Sequence, residues 1–233
     1  IVIDIRAGTP TITPTSSMSS VRKLVTAAIL ADGKVLATGG SESWNTMTGV
    51  NYAAEIWNPA TGTWTLGASG VRARLYHSTS LLLPDGSVLV SGGGAPGPQN
   101  NTNAEIYFPP YLFAAGGVLA TRPVIDSAPS VLDIGRTFRI QTSGPAVSRV
   151  TLVRAGTVTH SWNMGQRFVD LTFNASGGEI AVQAPSRAVD APPGYYMLFV
   201  LDANGVPSIA KMVRINVAAD PNPATVPSIT SPG

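Results

Sequence analysis

The strongest constraint on this chain is that it repeats itself. Residues 29–40, ILADGKVLATGG, match residues 82–93, LLPDGSVLVSGG, almost position for position, and the match resumes at AAEIWNPATGTW (53–64) against NAEIYFPPYLF (103–113). A recurrence every roughly 50 residues implies small units that bury their apolar faces against one another. Each unit carries its own strand and turn chemistry. An apolar strand runs into Asp32-Gly33 or Asp85-Gly86, a pair suited to a tight hairpin. A second apolar strand follows, KVLATGG or SVLVSGG, whose terminal glycines let neighbouring backbones approach closely. AEIW or AEIY supplies a third strand, and in the first unit NPATGTW turns into a fourth.

Four short strands at this period describe a kelch-type propeller blade. Residues 1–28 read as the end of one blade and the opening strand of the next, so residues 1–120 hold about two blades. Closed propellers take roughly four to eight. Two alone leave apolar faces uncovered, so the first expected partner is the set of remaining blades, from the same polypeptide or from a second chain. The competing explanation is a β-sandwich with similar hairpins by chance. The ordered recurrence of strand, turn and Ala-Glu-Ile element argues against it. Trp57 and Trp64 are expected to pack between blades.

The rhythm changes after TRPVIDSAPS (121–130). Strands now come about every 10 residues with alternating patterns: TFRIQT, RVTLVRA, FVDLTF, EIAVQA, YYMLFVLD and SIAKMVRINV, with Asn204-Gly205 among the turn signals. This predicts an immunoglobulin-like β-sandwich over 121–218, without the Cys–Trp–Cys core of antibody domains. The stretch 219–233 is Pro/Ser/Thr-rich and reads as an extension or linker. The fold class is therefore all-β: a partial propeller followed by a sandwich. Composition agrees, with only 12% charged residues and 24 Gly and 19 Pro in 233.

Several function classes fall away. The net charge of +2 comes from scattered Lys and Arg with no basic run, so no nucleic-acid partner is expected. No stretch approaches the roughly 20 apolar residues of a membrane span. No signal peptide is visible, since the sequence opens at Ile1 within a strand-like segment. Cysteine is absent, which excludes disulfides and thiolate chemistry within the chain. The Gly-rich SGGGAPGPQ lacks the Lys-Ser/Thr of a phosphate loop and reads as a blade loop.

Chemistry concentrates on two histidines. His77 follows Tyr76 in RLYHSTSLLLPDG, and His160 lies in GTVTHSWNMGQR. Taken singly, each reads as an ordinary strand-end residue or as a metal ligand. The repeat weighs for function, because the first unit has Leu24-Val25 in RKLVTAAILADG where the second has Tyr76-His77, so blade packing does not require the pair. Successive strand residues point to opposite faces, so Tyr76 and His77 can share one metal only at a strand end, bend or bulge. Trp44, in GGSESWNTMTG, reads equally as the wall of a substrate pocket and as loop packing. Arg154, Gln166 and Arg167 are candidates to support the His160 segment.

RLYHSTSLLLPDG, GTVTHSWNMGQR and PPGYYMLFVLDANGVPS together resemble the galactose oxidase and glyoxal oxidase family of copper radical oxidases, over about residues 20–217. HSWNMGQR is slightly more similar to the glyoxal oxidase branch. The resemblance implies that these blades are the last of seven in a secreted or extracellular enzyme. Such an enzyme oxidises a primary alcohol or aldehyde, with a carbohydrate among the possible substrates, and reduces O2 to hydrogen peroxide. It implies one copper ion held by Tyr76, His77 and His160, with Tyr76 also accepting the substrate proton and His160 reaching into the central channel. Imidazole and phenolate suit Cu(II). The family's radical cofactor, a tyrosine cross-linked to a cysteine, cannot form within a chain that has no cysteine, so it is expected from sequence outside this one. The alternative is a non-catalytic extracellular module that binds carbohydrate or protein and carries a relic copper site, since fold does not fix function.

Overall fold

The computed structural model describes residues 1–216, so the expected tail at 219–233 lies outside the described residues. Strands β1 (Val2–Asp4) and β2 (Thr11–Thr13) form an antiparallel hairpin. Next, β3 (Thr26–Ile29), β4 (Val35–Thr38), β5 (Ala53–Asn58) and β6 (Thr63–Ser69) form a four-stranded antiparallel sheet in sequential order. Strands β7 (Ser78–Leu82), β8 (Val88–Gly92) and β9 (Ala104–Tyr107) form a three-stranded sheet of the same kind. These are the two repeats, and they pack face to face. Ala28, Leu30, Leu36, Ala54 and Ile56 of the first meet Val88 and Val90 of the second. Burying each large aliphatic contributes roughly 1.5–3 kcal/mol.

The Asp-Gly turns are wider than a two-residue hairpin. Leu30 donates its amide to the Lys34 carbonyl and Leu83 donates to Ser87, so each glycine closes a three-residue loop. Gly33 at φ +88° and Gly86 at φ +81° supply the left-handed residue that such a loop needs. Trp57 and Trp64 face each other across β5 and β6 within one sheet rather than packing between blades.

Beyond Thr121 come β10 (Val124–Ser127), β11 (Val131–Asp133), β12 (Thr137–Ser143), β13 (Arg149–Arg154), β14 (Val158–Thr159), β15 (Trp162–Asn163), β16 (Phe168–Leu171), β17 (Phe173–Ser176), β18 (Glu179–Gln183), β19 (Gly194–Leu201) and β20 (Lys211–Asn216). Two sheets make the sandwich, in the orders β10-β12-β18-β17 and β11-β20-β19-β13-β16, with β14-β15 a separate hairpin. FVDLTF, expected as one strand, is split at Thr172 between β16 and β17, which join opposite sheets. The short strands β10 and β11 have weak patterns and were not anticipated.

Strand β19 explains how the sandwich meets the blades. Tyr196, Leu198 and Val200 enter the sandwich core, while Met197, Phe199 and Leu201 on the other face pack with Ala31 and, partly buried, Ile29, Leu82 and Tyr111 of the repeats. A strand covered on both faces reads as a continuous apolar run, as YYMLFVL does. Polar contacts pin the junction to the turn carbonyls. Thr151 Oγ1 donates to Ala31 (2.9 Å), Arg149 Nη1 to Asp32 (3.1 Å), the Ala210 amide to Pro84 (2.8 Å) and Arg122 Nη2 to Asp85 (2.7 Å).

Candidate metal centre

Tyr76 and His77 lie in a turn that leads into β7, closed by the Ser78 amide donating to the Leu75 carbonyl (2.9 Å). His77 takes φ +67°, the left-handed region that non-glycine residues rarely adopt. This bend is what lets adjacent side chains share a face. The two rings stack, with centroids 3.8 Å apart and planes at 29°.

The second histidine arrives from the sandwich. Strand β13 leads into the β14–β15 hairpin, whose two-residue tip is His160-Ser161 at φ +51° and +68°. Positive φ at both tip residues defines the tight turn that matches strand twist, and Asn-Gly is its usual sequence. His-Ser here carries a strain of roughly 1–2 kcal/mol per residue. Gln166 holds the segment to the first repeat, donating through Nε2 to the Ala27 carbonyl (3.0 Å) and accepting the Ile29 amide on Oε1 (2.6 Å). Of the other two candidates for this role, Arg167 donates instead to the Val189 carbonyl (3.2 Å), and the Arg154 amide donates to the Arg167 carbonyl (2.9 Å).

The structure thus brings together the three side chains singled out in the sequence. The His160 ring centroid is 4.7 Å from that of His77 and 6.0 Å from that of Tyr76. His77 Nδ1 lies 2.7 Å from the Ala95 carbonyl and can only donate to it, which leaves Nε2 as the nitrogen with a free lone pair. His160 Nδ1 is engaged by the Thr159 hydroxyl at 2.6 Å, so its free nitrogen is also Nε2. Both rings are oriented through one nitrogen while the other remains open, the arrangement of metal-binding imidazoles. Among the described residues no cluster of three or more His, Cys, Asp or Glu side chains could hold an ion. Any third protein donor here is therefore the Tyr76 phenol. The five non-glycine residues with positive φ among those described are Leu24, Trp44, His77, His160 and Ser161. Backbone strain of this kind clusters at functional sites.

Trp44 is 64% exposed, with the Lys23 ammonium 5.4 Å from its ring centroid. The residue after it, Asn45, was missed in the sequence. Asn45 Oδ1 accepts the Tyr76 amide (3.3 Å), and Nδ2 donates to Gly94 (3.0 Å) and Pro96 (2.8 Å).

The correspondence between repeats also needs correcting. The Lys23 carbonyl accepts the Ser41 amide (3.1 Å) as the Tyr76 carbonyl accepts that of Gly94 (2.7 Å), and Leu24 takes φ +58° as His77 takes +67°. The residues that stand where Tyr76-His77 stands are therefore Lys23-Leu24, not Leu24-Val25. The slip arises because the second repeat has one extra residue, the fully buried Leu75, between its arginine and the turn. The inference itself survives, since a blade folds with neither Tyr nor His at this turn.

Those arginines anchor both repeats. Arg22 Nη2 pairs with Glu55 Oε1 (2.8 Å) and Arg22 Nη1 donates to the Gly39 carbonyl (3.1 Å). Arg74 Nη2 pairs with Glu105 Oε2 (2.7 Å) and Arg74 Nη1 donates to the Gly92 carbonyl (2.9 Å). Burial pushes the Glu55 carboxyl up, but the Ser19 amide and the Arg22 guanidinium outweigh it and hold it below the usual glutamate range. Glu105 is lowered in the same way, with the Val71 amide and Arg74 opposing burial. The signal was in the repeat: a glutamate recurs inside AEIW and AEIY, flanked by apolar residues that need no charge.

Comparison with known proteins gives this geometry a context. The family model described as "Galactose oxidase-like, Early set domain" matches residues 122–215. A galactose oxidase of Gibberella zeae is 37% identical over 223 residues, which cover 91% of this chain and 32% of that protein. An aldehyde oxidase GLOX of Vitis pseudoreticulata is 37% identical over 163 residues, 63% of this chain and 31% of that protein. A solved structure of a fungal alcohol oxidase of the AA5 family, in complex with copper, superposes with a TM-score of 0.83 at 30% identity, covering 89% of this chain and 45% of that one. The chain spans about a third of the length of these curated relatives.

Proposed function

We propose that this chain, which belongs to the galactose oxidase and glyoxal oxidase family of copper radical oxidases, forms the copper-holding part of an enzyme that oxidises a primary alcohol or aldehyde and reduces O2 to hydrogen peroxide. The observation that carries this reading is the convergence of the only two histidines in the chain, from two separate domains, beside one tyrosine. The donor set fits the metal, since two imidazoles with open Nε2 atoms and a phenol oxygen match the N,O preference of Cu(II). Bound copper would supply one-electron redox capacity and Lewis acidity at this point.

His77 and His160 hold the ion, each steered through its Nδ1. Tyr76 offers an oxygen that takes the proton of a substrate hydroxyl, and the positive-φ turn keeps that oxygen beside the metal. Trp44, exposed one residue before Asn45, is placed to form an aromatic wall for the substrate. The reaction balances as RCH2OH + O2 giving RCHO + H2O2, with two electrons and two protons passing to oxygen. The cysteine-linked radical tyrosine would come from sequence beyond this chain, as would the blades that complete a ring over exposed residues such as Ile106 and Phe108. Secretion belongs to the same reading. Among the described residues no helix is long and apolar enough to cross a membrane, which is compatible with it.

The test is copper content and Cu(II) electron paramagnetic resonance on the full-length protein, with His77→Ala and His160→Ala beside it. The expected result is one copper per chain with two nitrogen couplings, one of which each variant loses. Folded protein that binds no copper would overturn the assignment and favour a non-catalytic binding module.

A further inference from the structure

We infer that Asn45 is a positioning residue of the metal centre, setting the orientation of Tyr76 and His77 without touching the ion. The inference rests on the ligand reading above. One amide side chain makes three hydrogen bonds, and each reaches the site from a different side. Its Oδ1 accepts the Tyr76 amide at 3.3 Å, inside the turn that stacks the two rings. Its Nδ2 spends both hydrogens on one loop, on the carbonyls of Gly94 (3.0 Å) and Pro96 (2.8 Å). Between those two carbonyls lies that of Ala95, the one that accepts His77 Nδ1–H at 2.7 Å. The carbonyl that orients the imidazole is thus clamped on both sides by Asn45.

The fit leaves little slack. A Cβ added at Gly97 would overlap the Asn45 Nδ2, so the loop closes directly onto the amide. The Gly94 amide also donates to the Tyr76 carbonyl (2.7 Å), which ties loop and turn together. Asn45 lies in the first repeat and the residues it holds lie in the second, so it transmits the blade-to-blade fit to the metal ligands. Aspartate is nearly isosteric but has no donor for either carbonyl, and it would set a negative charge against two carbonyl oxygens. Partners that orient a metal-bound imidazole typically change metal affinity by 10–100-fold when removed.

The experiment is Cu(II) titration and electron paramagnetic resonance on the full-length protein carrying Asn45→Ala, Asn45→Asp and Gly97→Ala, with thermal unfolding recorded for each. Folded Asn45→Ala and Asn45→Asp should bind Cu(II) about 10-fold or more weakly, with altered copper and nitrogen couplings. If Asn45→Ala does not fold, Gly97→Ala, which keeps the amide but pushes it from the loop, must show the altered couplings. Wild-type affinity and couplings in folded Asn45 variants, or in folded Gly97→Ala where those fail to fold, would overturn the positioning role. That failure is distinct from wild-type protein binding no copper, which overturns the ligand reading beneath it.

Discussion

Lys23 and Tyr76 occupy the same place in two successive sheets. The carbonyl of each accepts a backbone amide, from Ser41 or Gly94, and each is followed by a residue at positive φ, Leu24 or His77. Upstream of each stands an arginine that grips the glutamate of its own sheet's third strand. The backbones agree and the side chains do not. The left-handed turn is therefore a property of the blade, present whether or not a ligand sits on it, and the metal chemistry uses a bend that the fold already makes. What distinguishes the second repeat is a buried Leu75 that shifts the turn by one residue, a Tyr-His pair on the turn, and a histidine delivered from the sandwich.

The sharpest way to break this comparison is to give the second repeat the side chains of the first. The double variant Tyr76→Lys, His77→Leu should fold, because Lys23-Leu24 already occupies that turn, while copper affinity falls by more than about 100-fold, beyond the loss usual for an outer partner. Retained copper binding would show that the ion is held elsewhere. The next largest effect is on stability. Arg22→Ala leaves Glu55 buried and uncompensated and should cost about 3–5 kcal/mol in urea unfolding. Arg74→Ala should cost less, because the Glu105 side chain is 27% exposed where that of Glu55 is 2%. Equal losses would mean that burial does not separate the two clamps.

A smaller effect appears in acid. Both carboxyls are held below the ordinary glutamate value, so the unfolded chain takes up their protons first as pH falls. Their contribution is fully present above about pH 4.5, the ordinary value, and is lost as pH drops through the lowered one. Glu55→Gln should lower stability at neutral pH and flatten the acid limb of the stability curve. An unchanged acid limb would sink this account. The smallest change is expected from Leu24→Gly. It relieves a left-handed strain of roughly 1–2 kcal/mol against a glycine entropy cost of about 0.5–1 kcal/mol. Calorimetry should therefore find a gain within about 1 kcal/mol, with copper binding unaffected.

Much of the fold was legible because its signals are local. The Asp-Gly turns, the two-residue alternation and the recurrence of AEIW as AEIY follow from interactions between residues a few positions apart. The Tyr-His pair stood out because the chain contains its own control, a second copy of the blade without it. Even so, alignment on Arg22 and Arg74 misplaced the comparison by one residue, since the extra Leu75 leaves no local mark. Trp57 and Trp64 were misassigned for a similar reason. Spacing shows that both lie on strands, while register decides that they face each other. FVDLTF looks continuous because nothing in its pattern says that the chain changes sheets at Thr172.

The sequence by itself determined the all-β class, the repeated unit, the change to a sandwich and the three residues with metal-ligand chemistry, all carried by residue type and short-range periodicity. Only the tertiary structure decided that Tyr76 and His77 share a face, that His160 meets them, and that Asn45 and the Ala95 carbonyl hold them in place. Those decisions depend on left-handed backbone at single residues and on hydrogen bonds between segments far apart in the chain. Such contacts exist only once blade and sandwich have docked, so no local pattern encodes them.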